Sequence, residues 1–407
     1  MAPPDFRRPF KRAAVSDQQR RRELTLQRQA QSRHDAQQRV RNLASTIISL
    51  QSQEPDDAAD VVLEPYPEES EAPPKELDIR RASRMRGEQV RNWFARQLML
   101  PEWMIDIPDN LSQDWYVFAR PAGKRCFVVA SNGTTVSRQR NGSILHCFPS
   151  ALPNGAKTRE PSGPAHSYSI LDCIFHEGDQ TYYVIDMVCW GGCSYYDCPA
   201  DFRFYWLNSK LEETGASGPP SYYHKYRFSA VTHEKGLPAA YTDATPYVKD
   251  GLLFYNKHAH YQSGNTPLAL VWKDAKCSQY VLDTDSTGEV PDQQQKVVLE
   301  LQEDGNLITS DDPPIIFGRL NSEFIQQLGL HSGNFVRCAI NDGGLSFVEG
   351  KLEKADLKYI GKCSRGRAFA DSYSKVVFQY MARHSPLTYD DLLVAANKPP
   401  SDVEMAG

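Results

Sequence analysis

Three cysteines, a run of arginines and six tryptophans are the residues of this 407-residue chain whose types and spacing could do chemistry. Cys189, Cys193 and Cys198 lie in a C-x3-C-x4-C pattern. Thiolates so placed can hold zinc, but structural zinc sites draw on tight C-x-x-C pairs with a second pair downstream, and this sequence has neither. They read as ordinary buried or half-buried thiols, with no metal and no cofactor expected. Arg20, Arg21, Arg22, Arg28 and Arg33 are spread, with Arg39 and Arg41, through a stretch free of Pro and Gly. Dispersed guanidinium forks bind carboxylates bidentately and suit a long acidic groove on a partner. The same residues also suit a solvated basic helix or a nonspecific RNA-binding arm. An indole packs in a core or offers its face to a flat, cationic ligand. Most of Trp93, Trp103, Trp115, Trp190, Trp206 and Trp272 must be structural.

These residues need elements to hold them. Residues 1–52 read as a basic arm and helix. Ser16-Asp17-Gln18-Gln19 fits a capping box, and the predicted helix runs on to about Ser52. Its few apolar positions (Leu24, Leu26, Val40, Leu43) predict that it cannot bury a face against a core and orders on a partner. Residues 53–86 form an acidic, Pro-rich linker. Residues 1–45 hold eleven Lys or Arg against four Asp or Glu, and residues 46–79 hold one against ten, inside a whole-chain net charge of only -5. No apolar stretch reaches the length of a membrane span, and the first residues lack a signal-peptide core. Scattered cysteines suit a reducing compartment.

Residues 87–282 read as an α+β domain with antiparallel sheets. A helix is predicted over Gly87–Leu100. Trp115–Phe118 and Lys124–Ser131 read as strands, with Asn132-Gly133 as a hairpin turn. Ser169–His176 and Tyr182–Cys189 make a second hairpin. Phe202–Leu207, Gly251–Tyr255, Leu268–Trp272 and Ser278–Leu282 add further strands. Residues 283–397 are a β-rich extension with turns at Asp304-Gly305 and Asp342-Gly343 and a closing helix over Ala370–Arg383. Residues 398–407 read as a disordered tail.

Several segments, in order, resemble the covalent nucleotidyltransferases, the mRNA capping enzymes and ligases. Arg120-Pro121-Ala122-Gly123 stands where that family has its K-x-D-G nucleophile. Ile170-Leu171-Asp172, Tyr182 to Val188, Asp250-Gly251-Leu252-Leu253-Phe254 and Val271-Trp272-Lys273-Asp274 follow at the later motifs. The departures matter more. The family lysine attacks an α-phosphate, whereas an arginine stays protonated and is a poor nucleophile. The acid two residues on is Ala122, the glutamate of E-G-L-V is Asp250, and the first lysine of the last motif is Val271. Such a site should bind a guanine nucleotide without transferring it.

The basic arm in front of this altered fold resembles the snurportins. Glu102-Trp103-Met104-Ile105-Asp106-Ile107-Pro108, Gly123-Lys124-Arg125, Thr181-Tyr182-Tyr183-Val184 and Asp201-Phe202-Arg203-Phe204-Tyr205-Trp206 all look like family signatures. So does Arg20-Arg21-Arg22-Glu23-Leu24, where the family carries its importin-β-binding domain. The resemblance implies a non-enzymatic adaptor that binds the 2,2,7-trimethylguanosine cap of spliceosomal RNA. It also implies importin-β and an exportin as partners, shuttling between nucleus and cytoplasm, and neither membrane nor DNA binding. It places Trp272 in stacking contact with the methylated base and Trp103 along its edge. Arg125, Arg140 and Lys124 fall near the triphosphate, and the helix arginines Arg20, Arg21, Arg22, Arg28 and Arg33 face importin-β. Pro101 stands where a serine is expected. The extension after residue 282 departs from the family and fits either an OB-type barrel or a buttress of the first domain. The competing reading is an active RNA guanylyltransferase or ligase with a relocated lysine.

Overall fold

The structure, a computed structural model, describes residues 17–31, 87–157, 168–231, 236–283, 294–348, 351–363 and 369–398. The predicted linker, the tail beyond Lys398, Arg33 and the helix beyond Gln31 lie outside these residues. In chain order come α1 (Asp17–Gln31), α2 (Gly87–Ala95), β1 (Met99–Trp103), α3 (Leu111–Asp114), β2 (Trp115–Pro121), β3 (Lys124–Ser131), β4 (Thr134–Gln139) and β5 (Ile144–Phe148). Then follow β6 (Tyr168–His176), β7 (Thr181–Trp190), β8 (Cys193–Ser194), α4 (Ala200–Glu213), β9 (Arg227–Ala230), α5 (Gly236–Thr242), β10 (Lys249–Asn256) and β11 (Gly264–Trp272). The last part holds β12 (Lys296–Leu301), β13 (Asn306–Ile308), β14 (Ile316–Arg319), α6 (Ser322–Gln327), β15 (Phe335–Val348), β16 (Lys351–Lys362), α7 (Tyr373–His384) and α8 (Tyr389–Ala396).

The described residues form three sheets, in an α+β arrangement that is mostly antiparallel. One has the order β1-β11-β10-β2, with β1 parallel to β11. The largest runs β5-β4-β3-β6-β7-β8, with β9 parallel beside β7. The third runs β14-β13-β12-β15-β16. In the third, α6 sits between the third and fourth strands, and β14 also packs on β16. That connectivity is the order of an OB-type barrel. Side chains alternate along β10 and β11. Leu253, Tyr255, Ala269 and Val271 join the core against the largest sheet. Leu252, Phe254, Leu270 and Trp272 join the core shared with β12–β16 and α7. The four-stranded sheet is therefore a common wall, buried on both faces, and the described residues of the C-terminal extension share its core.

Some expectations give way. The helix predicted to Leu100 ends at Ala95, and the chain turns into β1. Phe202–Leu207 is not a strand but the middle of α4, which follows Pro199 and has Asp201 in its first turn. Phe202 and Tyr205 are exposed while Arg203, Phe204 and Leu207 are buried, a helical pattern that aromatic richness hides. Ser278–Leu282 forms no strand. Asp342-Gly343 makes no turn and lies in a bulged stretch of β15. The closing helix expected over Ala370–Arg383 is present as α7, and a further helix, α8, follows it.

The basic helix also departs from expectation. α1 lies against the body, next to β11, with Gln18, Arg22 and Gln29 buried on one face. The face is mostly polar, with Leu26 its contact to the core, so the apolar pattern along the helix gives little sign of it. Gln18 Nε2 donates to Glu102 Oε2 at 2.9 Å and to the Trp103 carbonyl at 3.1 Å. Arg21 makes a two-pronged contact with Glu102, and Arg22 Nη2 donates to the Asp106 carbonyl at 3.1 Å. Arg22 also lies over the Trp115 ring, 5.7 Å from its centroid.

Candidate functional site

The motif residues meet in one place. Arg120 ends β2, Asp250 opens β10 and Lys273 follows β11. Asp250 receives both cations, Arg120 on one carboxylate oxygen and Lys273 on the other. Gly251 makes this possible: its φ is +100°, and a Cβ there would lie 2.7 Å from the Trp272 carbonyl. Burial lowers the Arg120 and Lys273 pKa values, Asp250 opposing it in both cases, so the pair stands as a desolvated cationic couple around one carboxylate.

Around this trio opens a cleft of about 620 Å³. Pro101, Trp103, Arg125, Arg140, Asn265 and Val271 complete the wall from the first two sheets. Tyr280, Asp283, Phe369, Asp371, Ser372 and Lys375 line the other side. Trp103 is half-buried at the seam. Its backbone N–H donates to Ser374 Oγ at 3.1 Å, and its ring lies 5.0 Å from that of Phe378 and 5.8 Å from Lys273 Nζ. A register shift between Pro101 and Glu102 re-aims this end of β1, so that Glu102 meets α1 while Trp103 borders the cleft.

Arg125 reaches the cleft but is tied back. Its Nε and Nη2 donate to the two oxygens of Asp172 at 2.6 and 2.7 Å, and Nη2 also donates to the Met99 carbonyl at 3.0 Å. Tyr261 Oη donates to Asp172 as well, at 2.8 Å. Burial opposes the Arg125 charge, yet Asp172 outweighs it and the pKa is raised. Arg140 lies at the rim, its guanidinium 5.9 Å from the Phe369 ring centroid.

Two of the predicted residues stand elsewhere. Trp272 is a correction: its ring is 0% exposed, packs near Tyr241 and donates through Nε1 to the Leu387 carbonyl at 3.0 Å. Strand alternation sends Val271 and Lys273 to the cleft and Trp272 to the opposite face. Lys124 is the second correction. It is 45% exposed, pairs with Glu177 at the β6–β7 hairpin and does not line the cleft. Gly123, at φ +141° and with the Phe175 carbonyl 2.2 Å from where a Cβ would sit, holds this turn against the hairpin. Sequence reasoning missed Phe369, Asp371, Lys375 and Phe378, which carry no motif and come from the far end of the chain.

The helix arginines divide. Arg20 and Arg28 face solvent, while Arg21 and Arg22 face the body. Of the cysteine trio, Cys189 is buried, Cys193 exposed and Cys198 between the two. Among the described residues no group of His, Cys, Asp or Glu has metal-binding geometry.

The fold and the convergent motif positions define a nucleotidyltransferase-like α+β protein, with arginine where the nucleophilic lysine stands in that class. Residues 97–274 match the family described as Snurportin1, m3G cap-binding domain. That segment is similar to the snurportin cap-binding domain, and it takes in the cleft's first wall. Among solved structures, the ligase domain of M. tuberculosis LigD is similar at 12% identity, with 67% of this chain and 95% of that chain covered and a TM-score of 0.31. A Lig E DNA ligase is similar at 14% identity over 65% of this chain and 98% of that one, with a TM-score of 0.29.

Proposed function

We propose that the chain is an import adaptor that binds a trimethylguanosine-capped RNA in this cleft and importin-β through its N-terminal helix. The observation that carries the first half is the family match over the segment that builds the first wall, together with what that wall contains. Trp103 borders the cleft where it can line the edge of a flat methylated base, and Arg120, Arg125, Arg140 and Lys273 suit a triphosphate bridge. Arg120 at the nucleophile position supports binding without transfer.

Intrinsic tryptophan fluorescence tests this directly. Titration with trimethylguanosine cap dinucleotide, monomethyl cap dinucleotide and GTP should give the tightest quenching with the first. Equal or tighter binding of GTP would return the enzyme reading to the front. That reading has one observation in its favour, a half-buried Lys273 amine of lowered pKa in the cleft. Incubation with labelled GTP or ATP and magnesium decides it: an acid-labile adduct would overturn the adaptor, and none is expected.

The second half rests on α1. An acidic partner groove would first meet Arg20 and Arg28, and Arg21 and Arg22 only after they leave Glu102 and Asp106. The same guanidinium cannot serve both, so importin-β takes the helix by lifting it off. Return by an exportin, and shuttling between nucleus and cytoplasm, complete the proposed cycle. Deleting residues 1–50 should abolish nuclear accumulation of capped RNA; unchanged accumulation would sink the import claim.

A further inference from the structure

Two aromatic residues of the cleft meet at one ammonium. Trp103 is half-buried and backed by Phe378, and its ring centroid lies 5.8 Å from Lys273 Nζ. Tyr280 lines the same cleft, and its carbonyl accepts a hydrogen bond from the same Nζ at 3.2 Å. An ammonium has three N–H donors. Lys273 spends one on Asp250 and one on Tyr280, which among the described residues leaves the third for a ligand. Arg120 shares the Asp250 carboxylate, so a second cation stands at the same place.

The backbone around Tyr280 is fixed on both sides. Before it, Asp274 Oδ1 accepts the Lys276 and Cys277 N–H groups at 2.9 and 2.8 Å, and the Cys277 carbonyl accepts the Gly251 N–H at 2.8 Å. After it, Val281 packs on the core. The Tyr280 side chain itself is 54% exposed, and among the described residues it has neither an aromatic neighbour nor a hydrogen-bond partner. A large ring held out on a fixed backbone does no packing for the chain and keeps its π-face for a ligand. It lies beyond the family match, which ends at residue 274.

We propose that Tyr280 is the stacking platform for the base of the nucleotide that follows the cap. A cap dinucleotide is a base, a triphosphate bridge and a second base. The cleft has, in matching order, the Trp103 ring, the Lys273 and Arg120 cations and the Tyr280 ring. The half-buried ring suits the methylated base, which has to be told from other bases. The exposed ring suits a nucleotide whose chain runs on into solvent. Every base has a π-face, so stacking there adds affinity without a sequence preference. This rests on the cap reading above and extends the site by one nucleotide.

The test is calorimetric titration of the full chain with trimethylguanosine triphosphate, which has one base, and with trimethylguanosine cap dinucleotide, which has two. The wild-type chain should bind the dinucleotide about fivefold more tightly or better, the low end of base–aromatic stacking. Tyr280→Ala should remove that advantage and leave affinity for the mononucleotide unchanged. Tyr280→Phe keeps the ring and should keep the advantage; its loss there would make the hydroxyl the contact and overturn the stacking role. Equal wild-type affinity for the two ligands overturns this inference alone, as does a Tyr280→Ala chain that retains the full advantage. Equal weakening of both ligands in Tyr280→Ala would move the ring to the methylated base and overturn the inference as well. A wild-type chain that binds neither ligand overturns the cap reading and this inference with it.

Discussion

The chain uses arginine–carboxylate pairs in two regions with opposite consequences. In the body, Arg203 and Asp186 are both 0% exposed and meet through two bonds of 2.7 and 2.8 Å. Tyr255 Oη donates to the same carboxylate at 2.7 Å, and Arg203 also donates to the Ala259 carbonyl at 2.9 Å. Every strong donor and acceptor has a partner, so the pair acts as part of the core. On α1, Arg21 meets Glu102 with its own side chain 28% exposed. Beside it, Arg22 Nε and Gln29 Nε2 are buried with no hydrogen-bond acceptor among the described residues. A polar interface with unsatisfied donors holds less tightly than a completed network. Completeness of hydrogen bonding, rather than residue type, separates an arginine that belongs to the fold from one that can be handed to a partner.

The largest effect expected from this contrast is in the body. Asp186→Ala strands a fully buried guanidinium and should cost about 3–5 kcal/mol of stability, read by urea unfolding. A loss below about 1 kcal/mol would erase the distinction, since that is what an exposed pair contributes.

The two tryptophans at the ends of adjacent strands extend the contrast from salt bridges to rings. Trp272→Ala should destabilise the chain by about 3–5 kcal/mol, the cost of emptying a large core site. Cap affinity of the molecules that remain folded should be unchanged. Trp103→Ala should do the reverse, costing about 1–3 kcal/mol of cap affinity, the order of a base–aromatic contact. A Trp272→Ala protein that is stable but blind to the cap would reinstate the stacking role that strand alternation denies it.

Why one tryptophan was misplaced from sequence is plain from β11. Leu268 to Trp272 is apolar throughout, because the strand is buried on both faces, and an unbroken apolar run carries no phase. The Asn132-Gly133 turn and the paired hairpins were legible because local chemistry dictates them: Asn132 and Gly133 both adopt positive φ. The meeting of Arg120, Asp250 and Lys273 was legible only through the motif order. The second wall was not legible, since Trp103 and Ser374 are joined across 271 residues by contacts that no local pattern encodes. The docking of α1 was hidden for a different reason. Apolar periodicity reports burial of carbon, and this face is buried mainly through glutamine and arginine, with Leu26 alone packed on the core.

The finest test concerns Glu102, where the two proposed functions touch. Its carboxylate holds α1 through Gln18 and Arg21, while the next residue, Trp103, borders the cleft. Glu102→Gln keeps the shape and removes the charge, so the helix loses about 1 kcal/mol of attachment, a charged hydrogen bond exchanged for a neutral one. Importin-β affinity should then rise about fivefold, because less must be broken to free the helix. Trypsin should cut sooner within Arg20 to Arg28, and stability to urea should change little. Arg21→Gln would loosen the helix equally but without the gain in importin-β affinity, since it also removes a guanidinium that the proposed partner would take. If both variants gain alike, Arg21 is an anchor to the body alone; if neither loosens the helix, the contact with Glu102 does not hold α1 in place.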